Sequence, residues 1–437
     1  MPLVKKPVTG MRDIMPEEMR IRNYAMETIR KVYRSHGYDM IETPVFESLA
    51  NLTSKQGGDN EKLIFRILKR GEKLKIDEAK TQDDLSDSGL RYDLTVPLVR
   101  YYSAHKDELP VPFKAIQTGN VFRADRPQRG RFRQFRQYDI DILGEAGPVA
   151  EIDLIDATST AVCALGFRDF TIRISDRRLL NAVSLYFGFP DEAFESVCIA
   201  LDKLDKIGMD GVYEELGQIA GTYGVAAEKV PAKEEIAALF DLPADVDTLD
   251  ALHAFCARLR ERVDVDESAE ENLSAIILGV RATAVHADAF SLVFDPTLVR
   301  GMGYYTGTIF EVSAAGYEGS IGGGGRYDKM IGKFTGQDVP ACGFSLGFER
   351  IMMLLMEREE KLPYEETRTA YLIERGMDME RVTAIMKHID RASKGDVLVT
   401  YMNKNKKHQK EQLRVLGYTK FREFFKDNDD PDGVLSE

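Results

Sequence analysis

Between residues 17 and 35, Ile21, Ala25, Ile29 and Val32 recur at helical spacing with Arg20, Arg22, Arg30 and Arg34 between them, which predicts an amphipathic helix. The pattern breaks at His36-Gly37. Residues 38–46 then carry aromatic and β-branched side chains around Thr43-Pro44 and read as an extended strand broken by proline. Further strands are predicted at 62–68, 90–93, 115–122, 134–143 and 170–174, joined by loops of unequal length. That alternation is the signature of an α+β domain with a largely antiparallel sheet.

From 176 to 286 the period changes. Helical patterns such as 196–207 and 248–262 replace the strands, punctuated by Gly188-Phe189-Pro190. Strand-like sequence returns at 291–294 and 308–312, and a helical segment at 347–357 closes the unit. A charged stretch then leads to a tail in which strands at 370–373 and 397–401 alternate with helices at 377–388 and 406–416. The expected organisation is one discontinuous α+β domain (1–175 and 291–356) holding a helical insertion (176–290), then a linker (357–368) and a short α/β module (369–437).

Composition narrows the class. The chain has 437 residues, 43% hydrophobic and 30% charged, enough for two or three domains with real cores. The longest uncharged runs, 179–190 and 216–227, reach twelve residues, short of the ~18 that a membrane-spanning helix needs. No apolar leader follows Lys5 and Lys6, and Cys163, Cys198, Cys256 and Cys342 lie far apart, so the expectation is a soluble protein of the reducing cytoplasm. Fifty-nine basic against seventy-two acidic residues give a net charge of −13, so any polyanion site must be local. The six histidines form no metal-ligand spacing, and no metal site is expected.

The densest chemical signal is 122–136, with six arginines against one aspartate. Guanidinium groups grip phosphate oxygens bidentately and keep their charge, and flanking aromatic rings can stack on a base, so a strand-turn-strand of this composition suits a nucleoside triphosphate. A solvated basic hairpin accounts for the charge equally well. The segment 298–308 sets Arg300, Tyr304 and Tyr305 among glycines, and taken alone it reads as a turn between strands. The run 322–325 lacks the Gly-Lys-Ser/Thr ending of a P-loop, 343–347 lacks the dinucleotide fingerprint, and no Gly-x-Ser-x-Gly elbow occurs. Arg350, opening an apolar helix, would by itself face solvent or a phosphate.

In order along the chain, these segments resemble the three signature motifs of the class II aminoacyl-tRNA synthetases, and specifically the histidyl-tRNA synthetase family, over most of residues 8–356. Motif 1 corresponds to the helix ending near His36 and the strand with Pro44, motif 2 to 122–144 and motif 3 to 343–355. Residues 300–311 resemble the family's histidine signature, and Leu90-Arg91-Tyr92-Asp93-Leu94-Thr95 its amino-acid-binding strand.

The resemblance implies histidine activation by ATP, accompanied by magnesium, and transfer to tRNA(His) by a homodimer built through motif 1. It places Arg123 on the α-phosphate, Arg131 and Arg350 on the outer phosphates, Phe135 under adenine, and Arg300 beside the α-phosphate where charge develops. Asp93, Thr95 and Gln137 would hold the α-ammonium of L-histidine, and Asp141, Tyr304 and Tyr305 would line the imidazole pocket. A pocket that hydrogen-bonds its substrate this way rejects analogues by about 10⁴-fold or more, in keeping with the lack of any segment resembling an editing domain.

Three departures accompany the match. Gly303 stands where the family often has aspartate, and Asp93 and Asp141 stand where many members have glutamate, so the backbone must come closer to the ligand. The tail is shorter than the family's usual anticodon-binding domain, as if its last strands were missing or replaced. Its basic residues Lys404, Lys406, Lys407, Lys410, Arg414, Lys420 and Arg422 suit an RNA backbone or a solvated helix face equally. The rival reading is the non-catalytic, histidine-sensing regulatory paralogue of ATP phosphoribosyltransferase, which shares the fold. Retention of Arg123, Arg300, Tyr305 and Arg350 together with the tail favours the enzyme.

Overall fold

The computed structural model describes residues 3–53, 63–127, 130–242, 246–301, 303–358, 368–389, 396–428 and 433–436. Most of the expected linker (359–367), together with Lys62, Gln128, Arg129 and Met302, lies outside the described residues. Two compact units emerge, one of Met1–Met11 with Glu27–Met353, the other of Arg12–Met26 with Leu354–Glu437.

The larger unit carries eleven strands among its described residues, β1 (Asp39–Met40), β2 (Phe46–Ser48), β3 (Arg66–Leu68), β4 (Ser86–Leu90), β5 (Phe113–Phe122), β6 (Gln134–Leu143), β7 (Phe170–Asp176), β8 (Phe290–Phe294), β9 (Thr308–Ser313), β10 (Ser320–Arg326) and β11 (Ala341–Leu346). Eight of them form one sheet in the order β1-β5-β6-β11-β10-β9-β7-β8, and β2-β4-β3 form a small second sheet. The large sheet is antiparallel except at its two ends, where β1 pairs with β5 and β7 with β8 in parallel. A parallel pair cannot be joined by a hairpin and needs a crossover. Here the crossover is the helical stretch between β7 and β8, which includes the helices Arg177–Tyr186, Leu204–Tyr223, Thr248–Arg260 and Glu267–Thr283.

The sheet has one apolar and one polar face. Ile116, Ile140, Phe344, Phe310, Ile174 and Phe294 follow one another across β5, β6, β11, β9, β7 and β8, interrupted only by Gly324 of β10, and all six are buried. Each such side chain contributes ~1.5–3 kcal/mol by leaving water, and Phe310 stacks on Phe344 at 5.0 Å. The helix Val149–Ala164 packs against β6 and β11. It is buried almost all round, Glu151, Thr158 and Ser159 included, so no helical stripe announces it in the sequence.

Two predicted strands are corrected. The segment 38–46 is divided into β1 and β2, which belong to different sheets, because Pro44 cannot donate to a ladder. Residues 91–93 are not a strand: β4 ends at Leu90, and the helix Thr95–His105 begins two residues after Asp93. Asp93 Oδ1 accepts from the Val96 amide at 3.1 Å, satisfying one of that helix's free donors.

In the smaller unit, β12 (Arg368–Ile373), β13 (Val397–Tyr401), β14 (Tyr418–Phe424) and β15 (Val434–Ser436) form a sheet in the order β13-β12-β14-β15. Central β12 is buried on both faces, Tyr371 and Ile373 packing with Val382 and Ile385 of one helix, Ala370 and Leu372 with Leu413 of another. The strands β14 and β15 add to the two read from the sequence at 370–373 and 397–401.

Candidate active site

Period-two alternation sends Gln137, Asp139 and Asp141 of β6 to the polar face of the sheet. Register continues that face sideways: Gln117, Asp139, Ser345, Gly323, Glu311 and Arg173 stand in one row, and Ala115, Asp141, Gly343, Gly325, Ile309 and Ser175 in the next. The glycines make room. A Cβ on Gly343 would lie 1.9 Å from Asp141 Oδ1, and one on Gly323 would lie 2.6 Å from Arg300 Nη1. Glycine within a strand commonly marks such a close approach.

These rows floor a cavity of about 60 Å³. Asp93, Asp139 and Asp141 line it on the acidic side, Arg123 and Arg300 on the basic side, and Tyr304, Tyr305 and Tyr327 form an aromatic wall. Burial pushes the Asp93 carboxyl up to about 6 and Asp141 up to about 7. Burial, with the like charge of Asp141, raises Asp139 well above the usual carboxylate range, against the bond it receives from Ser345. The Tyr327 hydroxyl donates to Asp141 Oδ1 at 2.6 Å. Tyr304 packs on Tyr305 at 4.8 Å and edge-on to Tyr327 at 6.0 Å between centroids.

At this site Asp93 Oδ2 and Gln137 Oε1 are buried acceptors, and Arg300 Nε a buried donor, without a partner among the described residues. Buried polar groups left unpaired are costly unless something else pairs with them. Arg300 is held by Glu311, whose Oε2 accepts from Nη1 at 2.6 Å, while the other oxygen of Glu311 takes Arg173. Arg173 is itself tied to Asp295 at 3.1 Å. Arg123 donates through Nε to the Tyr92 carbonyl at 3.0 Å and lies 5.2 Å from the centre of the Phe135 ring.

Of the residues singled out from the sequence, Asp93, Thr95, Arg123, Asp141, Arg300, Tyr304 and Tyr305 line this one cavity. Phe135 joins it through Arg123, and Gln137 through its bond to Ser345. Arg350 and Arg131 stand outside its lining. Arg350 donates to the Ser320 carbonyl, and burial lowers its guanidinium pKa, with the charges of Arg131 and Arg300 adding to that shift. Arg131 is exposed. Sequence reasoning passed over Asp139, Glu311, Tyr327 and Ser345. The alternation of Gln137, Asp139 and Asp141 was a readable signal for the first, whereas the other three come from separate strands or strand ends and meet it only through the sheet register.

A wider cleft of about 580 Å³ shares Tyr304 and Tyr305 with the cavity and is lined also by Gly303, Phe194, Lys329 and Lys333. Arg177, Arg178, Asp264 and Asp266 line it too, but its guanidinium groups are paired within the protein, Arg178 with Asp176 and Asp266 and Arg177 with Glu195.

Residues 10–351 match the family model described as histidyl-tRNA synthetase. A histidine–tRNA ligase of Leifsonia xyli is 47% identical over 355 residues, 80% of each chain. A probable histidine–tRNA ligase of Tropheryma whipplei is 36% identical over 436 residues, 99% of this chain and 98% of the relative, so the short tail has a counterpart there. Among solved structures, histidyl-tRNA synthetase from Nostoc sp. PCC 7120 superposes with a TM-score of 0.77 at 27% identity, covering 96% of this chain and 91% of that one. With its antiparallel sheet, its flanking helices and the residues gathered on its polar face, this chain belongs to the histidyl-tRNA synthetase family of class II aminoacyl-tRNA synthetases.

Proposed function

We propose that this chain activates L-histidine with ATP to histidyl-adenylate and transfers the histidyl group to tRNA(His). The observation that carries the reading is the small cavity in which three buried carboxylates oppose two guanidinium groups, with free acceptors on Asp93 and Gln137 and a free donor on Arg300. An amino acid is such a ligand, cationic at its ammonium and anionic at its carboxylate. Asp93, Thr95 and Gln137 take the α-ammonium. Asp141, oriented by Tyr327, and the Tyr304–Tyr305 pair take the imidazole, whose two nitrogens differ as donor and acceptor.

Arg300 then draws the histidine carboxylate toward the α-phosphate. A carboxylate oxygen attacks the α-phosphorus, the bond to pyrophosphate breaks, and the negative charge that accumulates lies between Arg300 and Arg123. Both guanidinium groups are already fixed by the protein, so little reorganisation is needed as the charge develops. Phe135 stacks under adenine, and Arg131 and Arg350 meet the outer phosphates. In the second step a hydroxyl of the terminal ribose of tRNA attacks the carbonyl carbon, and AMP leaves. Among the described residues no three His, Cys, Asp or Glu side chains cluster to hold a metal. Magnesium enters bound to the phosphates, as part of the ATP substrate.

Exposed Met40, Val45, Phe46 and Leu68, on or beside β1, β2 and β3, supply an apolar surface suited to a homodimer. No helix among the described residues is long and apolar enough to cross a membrane, and we assign the protein to the cytoplasm. Lys404, Lys407 and Lys420 of the tail, which make no ion pair among the described residues, meet RNA phosphates, whereas Lys406 and Lys410 are engaged by Glu423.

ATP–pyrophosphate exchange tests the reading directly. Exchange that requires L-histidine and collapses in Arg300→Ala is expected. Histidine binding without exchange would transfer the assignment to the regulatory paralogue.

A further inference from the structure

Gln137 is an amide, and an amide is ambiguous: one end accepts, the other donates. Which end is free determines whether the site attracts or repels a cation. The bonds around it settle the direction. Gln137 Nε2 donates to Ser345 Oγ at 3.1 Å, and Ser345 Oγ donates to Asp139 Oδ1 at 2.5 Å. A serine hydroxyl has a single proton. Spent on the carboxylate, it leaves Ser345 only lone pairs to offer, so the end of Gln137 that meets it must be the NH₂. Oε1 is then the free end, and it is buried and unpaired. With Asp139 ionised, or protonated on its other oxygen, Oδ1 accepts and the chain runs in this direction.

The sheet register builds this relay. Asp139 and Ser345 are direct partners across β6 and β11, and Gln137 follows two residues away on the same face. With the order reversed, Gln137 would present an NH₂ beside an ammonium group, and Asp93 Oδ2 would be the one remaining free acceptor of the pair.

We propose that Asp139 and Ser345 are positioning residues for substrate selection, holding the Gln137 amide with its oxygen free so that the site requires a primary ammonium group. The proposal rests on the reading of Gln137 as part of the α-ammonium subsite. It assigns to Asp139 a role that needs no contact with the substrate.

The test is equilibrium calorimetry with L-histidine and with 3-(imidazol-4-yl)propionate, the same molecule without its ammonium, on wild type, Ser345→Ala, Ser345→Thr, Asp139→Ala, Gln137→Ala and the Gln137→Ala/Ser345→Ala double variant. Wild type should prefer L-histidine. Ser345→Ala and Asp139→Ala should each lose about tenfold in L-histidine affinity, the worth of one hydrogen bond to a charged group, while the propionate binds within about twofold of wild type. Ser345→Thr should keep the preference, and Ser345→Ala should have no further effect once Gln137 is alanine. Parallel losses for both ligands, or an undiminished Ser345→Ala effect in the Gln137→Ala background, would overturn the relay alone. A wild type that does not prefer histidine over the propionate would overturn the ammonium subsite and the relay together.

Discussion

Two glycine-to-alanine changes on neighbouring strands should have opposite consequences, and the reason is geometric. A Cβ on Gly343 lands 1.9 Å from Asp141 Oδ1, the end of a side chain, whereas a Cβ on Gly324 lands 1.9 Å from the Gly343 carbonyl oxygen, which is backbone. In Gly343→Ala the Asp141 carboxylate must retreat by about 1.5 Å to reach ordinary contact. It cannot do so and keep the 2.6 Å bond from Tyr327. Losing a hydrogen bond to a charged group costs about 1.5–3 kcal/mol, which predicts a ten- to hundredfold rise in KM for histidine with KM for ATP nearly unchanged. In Gly324→Ala two strands of the central sheet must separate, and soluble protein should be lost. The assays are steady-state ATP–pyrophosphate exchange and thermal unfolding. A folded Gly343→Ala protein with unaltered histidine KM would refute the claim that Asp141, placed by that glycine, forms part of the imidazole pocket.

Four further outcomes are expected. Glu151 is fully buried and pairs with Arg326 through both oxygens at 2.7 Å, so Glu151→Ala should destabilise the larger unit by about 3–5 kcal/mol by stranding a buried cation, read as a lower urea midpoint. Asp141 titrates at about 7 in the folded chain against ~3.9 unfolded, so holding its charge costs stability above pH 7, and that cost is relieved as pH falls toward 4; Asp141→Asn should therefore melt higher than wild type at pH 8, by a margin that shrinks as the pH is lowered to 5. Glu311→Gln, which weakens the anchor of Arg300, should lower the maximal exchange rate at least tenfold with little change in histidine affinity by calorimetry. Reversing charge at Lys404 and Lys407 should raise KM for tRNA in aminoacylation and leave exchange untouched, and an equal loss in both assays would argue against RNA contact by the tail.

Of the strands that carry the site, β5, β6 and β9 were readable because their chemistry is periodic, whereas β10 and β11, whose glycines interrupt the pattern, were not read as strands. β6 was delimited from the sequence at its observed ends, and β5, β9 and β13 within two residues, since alternating apolar positions and β-branched residues mark a half-buried strand. Where the period was missing, so was the element. Val149–Ala164 is buried on nearly every side and offers no stripe, and 90–93, which alternates apolar and charged residues, resembles a strand although Asp93 caps a helix. Arg91 anchors that turn, binding the carbonyl oxygens of Thr43 and Asn120, a set of contacts no local pattern encodes.

The sequence by itself determined the family, the elements with a clear period and the side chains with the right chemistry, because motif spacing and residue type are properties of one dimension. It also held the arginine concentration of 122–136, but not the division of labour within it. Only the tertiary structure decided that Arg123 reaches the cavity while Arg133 is spent on the Asp125 carbonyl and Arg131 faces solvent. It likewise decided that Asp139 faces Ser345 and that Glu311 restrains Arg300. The first pairing joins residues 206 apart through the register of β6 and β11, which are not neighbours in sequence, and the second folds Arg300 back onto β9 across the turn that precedes it. Hydrogen-bond direction, burial and charge state depend on such neighbours, and they distinguish a polar residue from a working one.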